Sequence, residues 1–73
     1  NWISSELIGF SVATDLKQFV GILTEILWLP TNDVYVIRNG DKEMLIPVIP
    51  EVIKLISWEN EQILITPMEG LLT

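Results

Sequence analysis

The chain has 73 residues, which allow one domain at most, and a domain of this length buries only about 60% of the surface that its unfolded form exposes. It is 49% hydrophobic and carries ten acidic against four basic residues, which gives a net charge of −6. Cysteine and histidine are both absent, and this excludes disulfides, zinc sites built on thiolates or imidazoles, and a histidine general base. The domain must therefore be stabilised by packing alone.

Membrane insertion and export are not expected. The longest uninterrupted apolar run, residues 44–50, contains two prolines and is far shorter than the roughly 20 residues of a membrane-spanning helix. The first basic residue is Lys17, whereas a secretory signal begins with basic residues before its apolar run. Because the chain begins with Asn1 and not Met, we expect residues 1–73 to be part of a longer protein.

The first half of the chain predicts two strands. Residues 10–14 alternate between apolar and small or polar side chains, which is typical of a strand with one buried face, and a turn follows at 15–18. Residues 19–29 are rich in β-branched and aromatic residues, with Gly21 inside the run and Pro30 after it. These features favour a long, bent strand over the alternative, a helix. Strict alternation puts Leu23, Leu27 and Leu29 on one face of this strand. The residues that it puts on the other face are Val20, Ile22, Ile26 and Trp28.

The second half predicts two hairpins. Residues 33–38 are dense in strand formers, Asn39-Gly40 is a strong hairpin signal, and residues 42–46 form the returning strand. Pro47 and Pro50 then bracket a short connection, because proline cannot donate a hydrogen bond to a neighbouring strand. Residues 52–58 and 62–66 form a second hairpin through the turn 59–61.

The carboxy-terminal residues resemble a capped helix start. Thr66 can serve as the N-cap, Pro67 suits the first helical position, and Glu69 completes a capping box before Gly70 ends the turn. We expect one helical turn that places Leu71 and Leu72 against an open end of the fold, with a frayed tail as the alternative. Six short strands in about seventy residues hide their edges best in a small barrel of SH3-like size.

Five motifs occur in an order and spacing that resemble a known family. They are Leu7-Ile8-Gly9, Gly21, Asn32-Asp33-Val34-Tyr35-Val36, Leu45-Ile46-Pro47-Val48-Ile49-Pro50-Glu51-Val52-Ile53 and Glu69-Gly70-Leu71-Leu72. Together they resemble the carboxy-terminal PRC-barrel domain of the bacterial ribosome maturation factor RimM, over almost the whole chain.

The resemblance implies a six-stranded, all-β PRC-barrel with a short carboxy-terminal helical turn, which acts without catalysis or cofactors. It also implies a cytoplasmic assembly factor of the small ribosomal subunit. In that factor this domain docks on a basic protein of the subunit head, which is the nineteenth protein of the small subunit. The family acts in head maturation and in ribosomal RNA processing, and has an RNA-associated barrel ahead of this domain. The resemblance therefore implies that residues 1–73 are a single domain, the carboxy-terminal one of a two-domain protein. The chain departs from the family pattern in three places. Glu61 replaces a glycine, which leaves Asn60 to adopt a left-handed conformation, Ser57 replaces an acidic residue, and the loop at Pro30-Thr31 lacks a glycine.

The charged residues favour binding to a basic protein over catalysis, metal binding or strong nucleic-acid binding. Ten carboxylates on so small a domain are expected to form a solvated surface, and none follows the spacing of a calcium loop. Nucleic-acid binding needs several cations, whereas the four here are dispersed; Arg38 and Lys42, which flank the hairpin turn, could make one phosphate contact. A net charge of −6 would attract and steer a basic protein partner.

Apolar residues in two loops are the candidates for the partner contact. One group surrounds Trp28, and the other follows Pro47; the predicted contact residues are Trp28, Leu29, Pro30, Val48, Ile49, Pro50 and, in the third strand, Tyr35. Core or barrel-wall packing is the alternative for each, especially for Tyr35. A second alternative is that the amino-terminal domain covers this surface.

We therefore expect a monomeric docking module that binds no metal or membrane and does not bind nucleic acid strongly by itself. The rival hypothesis is a PRC-barrel adaptor of a membrane-associated complex, such as a photosynthetic reaction centre. A small hydrolase is the third hypothesis, which would need two carboxylates converging in a pocket.

Overall fold

The fold is a six-stranded sheet, and the computed structural model describes residues 2–66 of the chain. A 3₁₀ turn at Ser5–Leu7 precedes the sheet. The strands are β1 Ser11–Thr14, β2 Phe19–Leu27, β3 Val34–Asn39, β4 Lys42–Pro47, β5 Ile53–Ser57 and β6 Gln62–Ile65. The predicted all-β class is confirmed, whereas the predicted helical turn falls in residues 67–73 and lies outside the described residues.

The strand order in the sheet is β4-β3-β2-β1-β6-β5. Four neighbouring pairs are antiparallel, and β1 and β6 run parallel, with Val12 opposite Ile63. Ile46 in the edge strand β4 and Ile53 in the opposite edge strand β5 belong to one hydrophobic core. The sheet must therefore curl around that core, as in a small barrel, because a flat sheet would keep its two edges apart.

The core is made of aliphatic side chains from all six strands, with an aromatic ring from the amino-terminal segment and one from β3. Its fully buried members include Leu23 and Tyr35. The remaining buried residues of the core are Leu7, Phe10, Val12, Val20, Ile26, Ile37, Ile46, Val52, Ile53, Ile63 and Ile65. Phe10 also meets Trp58 edge to face at a centroid distance of 5.5 Å, so Trp58 covers the core near the β5–β6 hairpin.

The predicted faces of β2 are wrong because the strand contains two bulges. The pairing with β1 skips Val20, and the pairing with β3 skips Thr24. Each extra residue shifts the alternation by one position, so that Val20, Leu23 and Ile26 are all buried. Trp28, which alternation grouped with Val20 and Ile26, is 63% exposed.

The two hairpin turns each contain one residue in the left-handed conformation, and in the second turn this residue is not the predicted one. In the β3–β4 hairpin Asn39 pairs with Lys42, so the loop is Gly40-Asp41, and Gly40 has a φ of 63°. A glycine with positive φ at the first loop position is the pattern of a type II′ turn. In the β5–β6 turn the left-handed residue is Glu61, with a φ of 51°, and not Asn60.

Candidate protein-docking surface

The outer face of strands β2, β3 and β4 carries three rows of side chains, since residues directly opposite in antiparallel strands lie on the same side. The rows are Ile22–Arg38–Glu43, Glu25–Val36–Leu45 and Leu27–Val34–Pro47. Polarity falls along the sheet, from an ion pair in the first row to three apolar residues in the last. The apolar end of this face is where β2 ends, β3 begins and β4 ends.

Both predicted contact segments meet at this apolar end. Trp28 directly follows the last residue of β2, and Val48 directly follows the last residue of β4. The Val48 amide donates a hydrogen bond of 2.9 Å to the carbonyl of Asp33, which ties the second segment to the start of β3. The Asn32 side-chain amide donates to the same carbonyl at 3.0 Å, so Asn32 helps to fix the loop. Two segments twenty residues apart in the chain therefore lie at the same end of the sheet.

Exposure separates the predicted contact residues of these two segments into two groups. Trp28 is 63% exposed, Leu29 is 47% exposed, and Pro30 and Pro50 are exposed. Val48 and Ile49 are half-buried and pack against the core, so each presents only part of its side chain. We call the exposed set the docking surface; it consists of Trp28, Leu29, Pro30, Pro50 and Leu45.

Leu45 lies on the outer face of β4 and its neighbour Ile46 on the inner face. Leu45 is 54% exposed, while Ile46 is fully buried. Leu45 lies beside Val36 in the middle row and so extends the docking surface inward along the sheet.

Tyr35 is fully buried, so its side chain is not accessible to a partner. Its hydroxyl donates a hydrogen bond to the backbone carbonyl of Trp2, which anchors the amino-terminal segment to β3. Burial raises the pKa of Tyr35 to about 12, because the interior disfavours the phenolate. Tyr35 is thus part of the barrel wall, the alternative that the sequence offered, and its assignment as a contact residue is corrected.

Acidic residues border the docking surface. Glu25 lies in the same row as Val36 and Leu45, Asp33 immediately precedes β3, and Glu51 follows Pro50. All three carboxylates are near apolar residues and can pair with cations on a partner. An apolar centre with a charged rim is the usual arrangement of a protein–protein interface.

The described residues show no membrane-spanning helix and no metal-binding cluster. Within residues 2–66, no helix is long and apolar enough to cross a bilayer. In the same range, no three acidic side chains come together in a way that could hold a metal ion.

Sequence reasoning missed a second apolar row on the outer face of the other half of the sheet. It runs across four strands as Phe19, Ala13, Leu64 and Leu55, and both ends are exposed, Phe19 to 55% and Leu55 to 54%. The row depends on the parallel pairing of β1 with β6, two strands about fifty residues apart. No local pattern in the sequence indicates that pairing.

Comparison with known proteins identifies the family. A sequence model described as the RimM PRC barrel domain matches residues 4–71. The ribosome maturation factor RimM of Staphylococcus aureus is 48% identical over 68 residues, and that of Staphylococcus saprophyticus is 50% identical over 68 residues. Each alignment covers 93% of this chain and 40% of the relative, so the chain spans about two fifths of the length of these relatives.

A solved structure supports the same fold. The 16S ribosomal RNA processing protein RimM of Pseudomonas aeruginosa superposes with a TM-score of 0.82 at 22% sequence identity. The match covers 93% of this chain and 43% of that protein. Taken with the sequence match over residues 4–71, these similarities show that the chain belongs to the RimM PRC barrel domain family.

Proposed function

We propose that this domain acts in maturation of the small ribosomal subunit as a non-enzymatic docking module. Its relatives are named ribosome maturation factors, and a structural neighbour is named a 16S ribosomal RNA processing protein. The family match favours this function over the rival hypothesis of an adaptor in a membrane-associated complex. The domain would work as a monomer in the cytoplasm, where ribosomal subunits assemble, and would need no cofactor.

The proposed partner is a basic protein of the subunit head, the nineteenth of the small subunit. The observation that carries this proposal is the exposed docking surface around Trp28 with the acidic residues Glu25, Asp33 and Glu51 at its rim. Trp28 supplies the apolar area of a typical interface anchor, since tryptophan is enriched among the residues that dominate binding energy. The rim carboxylates and the net charge of −6 complement a positively charged surface.

Replacement of the anchor provides the direct test. Trp28→Ala should weaken binding of the 73-residue chain to the basic head protein by about thirtyfold, which corresponds to the roughly 2 kcal/mol of an interface hot spot. Its thermal stability should stay near that of the parent chain, because the side chain is largely exposed. Leu55→Ala is the matched control: Leu55 is also about half exposed, but lies in the other half of the sheet, and its loss should leave binding unchanged.

The electrostatic part of the proposal needs its own measurement. Glu25→Lys should weaken binding and reduce the association rate, while Glu6→Lys, which makes the same charge change in the 3₁₀ turn, should have a smaller effect. Added salt should weaken binding of the parent chain and narrow the difference between the two variants, because salt screens exposed charges. Equal affinities for the parent chain, Trp28→Ala and Glu25→Lys would show that the partner binds elsewhere.

A further inference from the structure

The end of the sheet opposite the docking surface forms a cleft with a different chemistry. β2 begins, β3 ends and β4 begins there, and the cleft between them has a volume of about 570 Å³. That volume is within the range of ligand-binding clefts in proteins, about 300–1,000 Å³. We call it the hairpin cleft; its lining residues are Gln18, Phe19, Val20, Asn39, Lys42, Glu43 and Met44.

Basic residues of this acidic chain gather around the hairpin cleft. Of the four in the sequence, Lys42 lines the cleft, Lys17 immediately precedes its wall, and Arg38 lies in the adjoining row of the sheet. Glu43, the acidic residue in the lining, is paired with Arg38 at 2.7 Å. Its charge is therefore offset, and the lining leaves Lys42 available to an anion.

The cleft also presents an aromatic ring beside two side-chain amides. Phe19 is 55% exposed, although its residue type is usually buried, and Gln18 and Asn39 lie in the same lining. An exposed ring can stack on a nucleic-acid base, and amides can form hydrogen bonds with the edge of that base. A lysine beside them can contact the neighbouring phosphate.

The wall that carries Phe19 is held in place by hydrogen bonds. The buried Thr14 hydroxyl accepts from the amides of Leu16 at 3.2 Å and Gln18 at 3.1 Å. The Lys17 amide donates to the Thr14 carbonyl at 2.8 Å, and Lys17 adopts a positive φ of 67°, which is unfavourable for a residue with a Cβ atom. The turn thus holds Phe19 in a defined position before any ligand arrives.

We propose that the hairpin cleft binds single-stranded RNA, with one base stacked on Phe19 and an adjacent phosphate at Lys42. This inference rests on the proposed function, which brings the domain close to ribosomal RNA. Phe19 begins β2 and Trp28 directly follows its last residue, at most about 30 Å away at the usual rise per residue of a strand. Because exposed charges are screened beyond about 8 Å at physiological ionic strength, the acidic rim of the docking surface does not prevent an RNA contact at the cleft.

An amide chemical-shift titration of the 73-residue chain with hexa-adenylate RNA at low salt tests the proposal. Shifts should localise to Gln18, Phe19, Asn39 and Lys42. The logarithm of the affinity should fall with the logarithm of salt concentration by about 0.7 for each phosphate contacted, which gives a slope between about −0.7 and −1.4 for one or two phosphates. Lys42→Gln should make this slope shallower.

Substitutions at Phe19 separate stacking from other apolar contacts. Phe19→Ala should reduce RNA affinity roughly 5- to 150-fold, the usual effect of losing one stacked base. Phe19→Leu keeps an apolar side chain but should lose as much affinity, and Phe19→Trp should restore binding. Leu55→Ala, which removes an equally exposed residue at the far end of the same row, should bind RNA like the parent chain.

A second ligand and a second assay make the outcomes decisive. Hexaglutamate offers negative charge without bases; shifts with this peptide and none with RNA would overturn the proposal in favour of an acidic peptide site. Absence of cleft shifts with RNA at millimolar concentration would overturn it as well, as would full binding by Phe19→Leu. The same variants should bind the basic head protein normally, so failure of the RNA site is distinguishable from failure of the docking proposal.

Discussion

Gly21 in β2 has no room for a side chain against β3, and its replacement by alanine should destabilise the fold. A Cβ atom at this position would lie 2.5 Å from the carbonyl oxygen of Arg38 and 2.8 Å from Cγ2 of Ile37. The carbonyl is held in the β2–β3 ladder, where Ile22 is opposite Arg38, and cannot rotate away. The two strands must therefore separate, or the ladder must break locally.

The magnitude follows from two opposing effects. Replacing glycine by alanine stabilises a protein by about 0.4–1 kcal/mol when the site tolerates a side chain, because the unfolded chain loses conformational freedom. Overpacking in a closely packed interior costs about 1–3 kcal/mol, and contact with fixed backbone belongs at the upper end of that range. We expect a net loss of about 2 kcal/mol, a large part of the roughly 4–11 kcal/mol available to a domain of this size.

Urea unfolding followed by tryptophan fluorescence measures this loss, and the thermal midpoint should fall by about 10 °C. Gly9→Ala is the control: Gly9 has a φ of 101° but nothing within 4 Å of an added Cβ, so this variant reports the cost of backbone strain alone. If Gly21→Ala unfolded within 0.5 kcal/mol of the parent chain, the reasoning from the close approach of β2 and β3 would be refuted.

Three further changes test the packing at single positions. Burial raises the pKa of Tyr35 to about 12, above the ordinary value of 10, so the neutral phenol stabilises the folded state. Its contribution to the free energy of unfolding, about 2 kcal/mol, should be complete below pH 10 and be lost as the pH rises through 12. Because the chain has a single tyrosine, the absorbance of tyrosinate reports this titration directly. Glu61→Gly should raise the unfolding free energy by about 0.5 kcal/mol by relieving a positive φ, while Asn60→Gly should not; equal effects would contradict the observed turn. Ile46→Ala should lower the free energy of unfolding by about 2–5 kcal/mol, because Ile46 is fully buried, whereas Leu45→Ala, at the exposed neighbouring position, should lower it by less than about 0.5 kcal/mol. Similar urea midpoints for the two variants would show that the faces of β4 are misassigned.

The sequence predicted those elements that depend on residues close together in the chain. All six strands lie within a few residues of their predicted bounds, because alternation, proline positions and the turn at Gly40 are local signals. Even there, propensity predicted the wrong left-handed residue in the second hairpin, Asn60 in place of Glu61. Asparagine is the better left-handed residue, yet the pairing of Ser57 with Gln62 places Glu61 at the required position.

Features that depend on distant residues were not predictable. The parallel β1–β6 pairing joins residues about fifty positions apart, and the row from Phe19 to Leu55 exists only because of it. The candidate docking surface was half predicted: composition pointed to Trp28 and to the residues after Pro47, but left open whether they meet. They lie at the same end of the sheet because β2 and β4 both pair antiparallel with β3 and therefore run in the same direction.

The bulge at Thr24 links the core to the docking surface. Leu23 faces inward, so uninterrupted alternation would also turn Glu25 and Leu27 inward and place a carboxylate in an apolar core, which is strongly unfavourable without a partner. The extra residue reverses the phase: Ile26 enters the core, and Glu25 joins the acidic rim of the outer face. The Thr24 hydroxyl donates to the carbonyl of Val36 at 3.1 Å and thereby ties the bulge to β3. A single inserted residue thus keeps the carboxylate of Glu25 out of the core and sets the side of the sheet on which it is displayed.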